Sequence, residues 1–128
     1  MNESLSFEDF DLIDRINLLN ESELDLLDFG VIGFDAKSRV CRYNAYESQA
    51  AGLSATRVLG YDLFVAVAPC MNNYLVAQRF EDALSEARKL DETIDYVLTL
   101  RMRPVKVKLR LMASPASALR YVMVKRLA

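Results

Sequence analysis

The chain has 128 residues, 52% of them apolar, a formal net charge of −2 and no histidine. That length and apolar content fit one compact domain with a real core; they argue against global disorder, and the charge argues against a general nucleic-acid binder. No apolar run approaches the roughly 18 residues of a membrane helix, and the acidic N-terminus lacks the basic flank of a secretory signal, so a cytoplasmic protein with two free thiols, Cys41 and Cys70, is expected.

Along the chain, residues 8–19 predict a short amphipathic helix whose apolar stripe is Phe10, Ile13, Ile16 and Leu19. Ser22, with Asp25 three positions on, predicts a capped second helix carrying Leu24, Leu26 and Leu27. Phe29 to Phe34 reads as a strand, Asp35-Ala36-Lys37-Ser38 as a turn, and Arg39 to Tyr43 as the returning strand of a hairpin. From Asn44 to Pro69 the pattern breaks into short helical pieces, where a small domain would place a site. Residues 73–89 predict the longest helix, with Tyr74, Ala77, Phe80, Ala83, Leu84 and Ala87 at helical spacing. Three strands follow, over Tyr96 to Met102, Val105 to Leu111 and Arg120 to Arg126, divided by Pro104 and by Ser114-Pro115-Ala116-Ser117. The middle one alternates apolar and basic residues, so one face is buried and the other carries Lys106, Lys108 and Arg110. The result is an α+β domain built on a five-stranded antiparallel sheet with flanking helices, the layout of PAS sensor domains. Residues 1–27 form an N-terminal helical cap on a core of residues 28–128.

Charge is unevenly spread. Residues 1–30 hold the acids Glu3, Glu8, Asp9, Asp11, Asp14, Glu21, Glu23, Asp25 and Asp28 against Arg15 alone. Residues 101–128 hold only basic charges: Arg101, Arg103, Lys106, Lys108, Arg110, Arg120, Lys125 and Arg126. Two readings are open. Both faces are simply solvated, since surface pairs are weak, or the acidic segment docks on the C-terminal sheet as a salt-sensitive cap.

The residues with the most chemistry are Cys70, in Val67-Ala68-Pro69-Cys70, and the phenol and carboxyl of Tyr43 and Glu47, four positions apart. On a helical turn that spacing puts two side chains on one face. Without a histidine there is no Cys–His dyad within the chain and no histidine ligand for heme, so neither a catalytic thiol nor an enzyme is expected. Val40-Cys41-Arg42-Tyr43 is faintly similar to the cysteine core of flavin-binding LOV domains, but the surrounding asparagine and glutamine pattern is missing and Cys41 is expected to pack in the sheet.

At Phe29-Gly30-Val31-Ile32, Tyr43-Asn44-Ala45, Glu47, Val67-Ala68-Pro69-Cys70, Pro104 with Lys106-Val107-Lys108, and Val124-Lys125-Arg126, the chain resembles the photoactive yellow proteins, collinearly and essentially end to end. The resemblance implies a bacterial blue-light receptor with p-coumaric acid (4-hydroxycinnamic acid) joined as a thioester to Cys70 and hydrogen-bonded by Tyr43 and Glu47. It implies a pocket at Ala51, Leu53, Leu63, Val67, Ala68, Pro69, Leu98, Leu100 and Met102. It also implies that light breaks the contacts at the buried acid, that Glu47 gives up a proton and that the domain partly unfolds.

Several positions depart from the family pattern. Ala51 stands where the family has a hydrogen-bonding threonine, Leu53 where it has an arginine, and Leu63, Leu98 and Leu100 where it has aromatic rings, while Met102 matches. The alternative function is a PAS module without a chromophore that binds a protein or a small acid. No effector domain is evident, so the expected partner is a separate signalling protein or a second copy of the chain, with no nucleic acid and no membrane involved.

Overall fold

The computed structural model describes residues 5–99 and 103–127. Its strands β1 (Gly30–Phe34), β2 (Val40–Tyr43), β3 (Leu90–Leu98), β4 (Val105–Ala113) and β5 (Arg120–Arg126) form one antiparallel sheet in the order β2-β1-β5-β4-β3. The helices are α1 (Leu12–Asn17), α2 (Glu21–Leu24), α3 (Ala45–Ala51), α4 (Ala55–Val58) and α5 (Ala77–Ser85). A π-helical turn at Leu63–Val67 and a 3-10 turn at Pro69–Met71 join α4 to α5.

Both faces of the sheet are covered. On one, Ile32, Phe34, Leu109, Leu111, Val122 and Val124 pack with Val58, Leu63, Phe64, Phe80 and Ala83. Phe34 makes edge-on contacts with Phe64 and Phe80, at centroid distances of 5.6 and 4.9 Å, the arrangement ring quadrupoles favour. On the other face, Val31, Met112, Tyr121 and Met123 meet Leu5, Phe7, Leu12, Ile13, Ile16, Leu24 and Leu27. Thus the N-terminal segment docks on the sheet. Successive strand residues alternate between the two faces, and neighbours such as Leu111 and Met112, or Val122 and Met123, enter opposite cores.

Charge contributes to that docking. Arg110 donates to the carbonyls of Phe7 and Asp9, at 2.9 and 2.7 Å, and pairs with Asp91. Lys125 pairs with Glu8 and lies over the Phe7 ring, 5.9 Å from its centroid. Arg110 is therefore buried under the N-terminal segment, the docking reading of the two left open for the basic face of β4.

Element ends differ from the periodicity for local reasons. Asp11 adopts a left-handed conformation (φ 46°), so α1 begins only at Leu12 and Phe10 turns to solvent, 89% exposed. Asn20 and Glu23, rather than Ser22 and Asp25, form the capping box of α2, with reciprocal bonds of 2.9 and 2.8 Å, and Leu26 is exposed. The Asn73 side chain accepts the N–H groups of Leu75 and Val76 and holds them in a turn, so α5 starts at Ala77 and leaves Tyr74 exposed; Ala87 (φ 52°) lies just past its other end. β3 begins six residues before Tyr96. As an edge strand it pairs through its backbone while Asp91, Glu92, Thr93 and Asp95 face water, so it shows no apolar alternation at its start. Cys41, expected inside the sheet, is the exposed residue of β2, whose Val40, Arg42 and Tyr43 are buried.

Candidate functional site

Tyr43 ends β2 and Glu47 lies in the first turn of α3, so they do not share a helix face. The strand–helix junction between them brings the two together. Its pivot is Asn44, the N-cap of α3, a residue type that favours this position because its short side chain accepts a first-turn N–H. Asn44 Oδ1 accepts the N–H of Glu47 at 3.1 Å and that of Val31 at 3.0 Å. Its Nδ2 donates to the carbonyls of Leu24 and Phe29, both at 3.0 Å. One buried amide thus ties the Glu47 turn to β1 and to the cap. Asp25 adds a second tie by accepting the N–H of Ala45 at 2.7 Å.

The Glu47 side chain is 1% exposed and its partner is Arg126 of β5, which donates Nη1 to Oε1 at 2.7 Å and Nη2 to Oε2 at 3.1 Å. Two parallel N–H···O bonds of this kind are the strong form of a carboxylate–guanidinium pair. Burial pushes the Glu47 carboxyl above its ordinary value, and the Arg126 hydrogen bonds and charge pull against it. Burial also pushes the Tyr43 phenol well up, the Glu47 charge adds to this, and Arg126 opposes it. Tyr43 therefore stays a neutral donor at ordinary pH.

Cys70 sits in the 3-10 turn, half-buried. It opens on a cleft of about 550 Å³ lined by Ala51, Leu53, Ala66, Val67, Pro69 and Thr99. Neither Tyr43 nor Glu47 lines this cleft, but Ala51 lies one helical turn beyond Glu47 on α3. The Cys70 carbonyl is locked from behind: the Tyr96 hydroxyl donates to it, and Asn73 Nδ2 reaches it at 3.1 Å and the Tyr96 oxygen at 2.7 Å.

The sequence-expected pocket residues divide into three groups. Ala51, Leu53, Val67, Pro69 and Cys70 line the cleft. Leu63, Ala68 and Leu98 are buried in the core that packs against Cys70 and do not line it. Leu100 and Met102 lie outside the described residues. Sequence reasoning missed Asn44, Asn73, Tyr96 and Arg126 as site residues. Only Asn44 carried a local signal, an asparagine three positions before a glutamate at a helix start.

Among the described residues, no group of three or more His, Cys, Asp or Glu side chains could hold a metal ion, and no helix is long and apolar enough to cross a membrane. No protein-family model matches the chain. The photoactive yellow protein of Halochromatium salexigens is 30% identical over 117 residues, covering 91% of this chain and 93% of that protein. The crystal structure of the photoactive yellow protein domain from the sensor histidine kinase Ppr of Rhodospirillum centenum superposes with a TM-score of 0.81 at 31% identity, covering 88% of this chain and 98% of that one. The PAS domain of Bordetella pertussis BvgS, 16% identical with a TM-score of 0.59 and covering 90% of this chain and 88% of that one, shows the shared fold alone. With this identity to both photoactive yellow proteins over about nine-tenths of its length, the chain has a PAS fold and belongs to the photoactive yellow protein family.

Proposed function

We propose that this protein is a blue-light photoreceptor that carries p-coumaric acid as a thioester on Cys70. The observation that carries the proposal is the half-buried thiol lining a cleft that Ala51 of α3 also lines, one helical turn from the buried Glu47. The donor set fits such an acid. A cleft of about 550 Å³ is in the range of small-molecule sites, the thiol is the acyl acceptor, and the Tyr43 phenol and Glu47 carboxyl, which do not line the cleft, are the donors proposed for the far end of the acid. Ala51 and Leu53 line the cleft without adding charge.

When bound, the coumaroyl group supplies visible absorption and a double bond that light isomerises. The remaining steps belong to the chain. Cys70 sulfur bonds to the acyl carbon of an activated p-coumaroyl donor, and the donor's leaving group departs with the thiol proton. Tyr43 donates its O–H to the far oxygen of the acid, and Glu47 donates beside it when protonated. Tyr96 and Asn73 hold the Cys70 backbone still while that end is loaded. After light breaks the contact, Glu47 gives up its proton and becomes a buried carboxylate, a penalty of several kcal/mol until Arg126 pairs with it again. That is a large fraction of the roughly 5–15 kcal/mol that stabilises a small domain. Asn44 and Asp25 pass the resulting strain to the cap, whose release is the signal read by a separate protein or a second copy.

The test is the absorption spectrum of the apoprotein mixed with an activated p-coumaroyl donor, for the native chain and for Cys70→Ala. A visible band that needs Cys70, bleaches in blue light and recovers in the dark supports the reading. No band, or one indifferent to Cys70, overturns it and moves the function to binding of a small acid or a protein.

A further inference from the structure

We infer that Arg126 is a positioning residue for Glu47: it holds the Glu47 carboxylate as an ion pair in the chromophore-free chain, and seating the aromatic acid requires that pair to open. The inference rests on the proposed function only for its second half. The first half stands on geometry.

Both Glu47 oxygens are engaged by the Arg126 guanidinium, at 2.7 and 3.1 Å. A guanidinium does not lose its proton in a protein, and a carboxylate engaged in this way is acceptor-only. The Glu47 seen here therefore has no proton to donate to a ligand. Being paired with Arg126 and donating to an aromatic acid are mutually exclusive states of one side chain.

The backbone is shaped around the paired state. Gly30 of β1 lies under the carboxylate, and a methyl group on it would come 2.1 Å from Glu47 Oε1 and 3.2 Å from Val124 Cβ. The other polar groups close to the pair are Tyr43 from β2 and Tyr46 from α3; Val107 of β4 is the residue opposite Arg126. Arg126 is the cation of this group, and its side chain is 15% exposed, so water can take it up if the pair opens. The exchange balances without an outside proton. A phenol enters neutral, its proton moves to Glu47, and the negative charge moves from the carboxylate to the ligand oxygen. Arg126 keeps its charge throughout, paired with Glu47 before the exchange and taken up by water after it.

The experiment is infrared spectroscopy of the chromophore-free protein, comparing native chain, Glu47→Gln, Arg126→Met and Arg126→Lys. The native-minus-Glu47→Gln difference should show carboxylate stretches and no protonated carbonyl band at neutral pH. Arg126→Met should convert Glu47 to the protonated band, and Arg126→Lys should keep most of the carboxylate signal. A protonated Glu47 in the native apoprotein, or a Glu47 equally ionised in a folded Arg126→Met chain, overturns the inference. The native difference spectrum decides the pair even if Arg126→Met does not fold.

Loading then tests the exchange. The protonated Glu47 band should appear together with the Cys70-dependent visible band. A visible band with Glu47 still ionised overturns the exchange. Absence of any visible band overturns the photoreceptor reading instead and leaves the apoprotein spectra to decide the pair.

Discussion

A methyl group at position 30 tests how closely the site is fitted. Gly30→Ala would force the Glu47 carboxylate away from β1, because the added carbon would lie 2.1 Å from Oε1. Overpacking of this kind costs roughly 1–3 kcal/mol. Urea unfolding should show that loss, and Gly30→Ala with Glu47→Ala should recover part of it; equal stability of Gly30→Ala and native chain would refute the fit. Tyr96 offers a contrasting case. Tyr96→Phe removes one donor from the Cys70 carbonyl but leaves Asn73 in place, so a loss of only about 1 kcal/mol is expected. Asn73→Ala in the same chain should cost more than the two single changes summed, because the carbonyl then loses both donors.

At the level of elements, the junction between β2 and α3 is the point where site and cap meet. Asn44 caps α3 and also satisfies two carbonyls and an N–H from other segments. Asn44→Ala therefore combines a lost cap, typically about 1 kcal/mol, with unsatisfied buried groups of about 1–3 kcal/mol. A total of roughly 2–4 kcal/mol in chemical unfolding is expected, and a loss below about 0.5 kcal/mol, within the range of ordinary surface changes, would show that the network is dispensable. The α1–α2 connection is held from the sheet by Arg42. Its Nη1 donates to Ile16 O and to the Tyr121 hydroxyl, both at 3.0 Å, and its Nε pairs with Glu21. Arg42→Met should leave the five-stranded sheet intact and speed hydrogen exchange in residues 12–24 selectively. Uniform acceleration across the sheet would contradict a role confined to the cap.

For the whole molecule, the sheet is a partition with a core on each side, and β5 serves both. Adjacent residues Lys125 and Arg126 point to opposite faces, one meeting Glu8 and Phe7 of the cap and the other meeting Glu47 of the site. The two faces respond to pH with opposite signs. Glu8 is held below its ordinary value by hydrogen bonds to Lys125 and Ser6. A depressed carboxyl stabilises the fold above its unfolded value of 4.5 and loses that contribution as pH falls through the lower folded value. Glu47 is raised by burial, so its contribution is complete below its unfolded value and declines as pH rises from there through the folded one. Cap amides should therefore lose exchange protection on acidification below about pH 4.5, and Glu8→Gln should flatten that loss. High salt should weaken cap protection in the same direction, since the Lys125–Glu8 pair is exposed enough to be screened. Cap protection unchanged by both acid and salt would mean that apolar contacts alone hold the segment.

The sheet, the hairpin and the span of β5 were legible because strand alternation and turn residues are local properties of a chain, whereas Tyr43, Glu47 and Cys70 became candidates through the family resemblance. Local rules failed where a partner came from far away or where backbone pairing replaced side-chain pattern. β3 begins at Leu90 because β4 supplies its hydrogen bonds, although its own side chains are polar. Arg110 is buried because carbonyls at positions 7 and 9 receive it. Tyr43 and Glu47 meet across a capped junction that spacing alone read as a helix face. Arg126 is 79 positions from Glu47 in the chain, and no periodicity distinguishes it from the other basic residues near the C-terminus. The sequence thus determined which residues could bear charge, a thiol or an apolar face. Only the tertiary structure decided which charge neutralises which, because desolvation makes an ion pair consequential and burial is a property of the assembled sheet and its two covers.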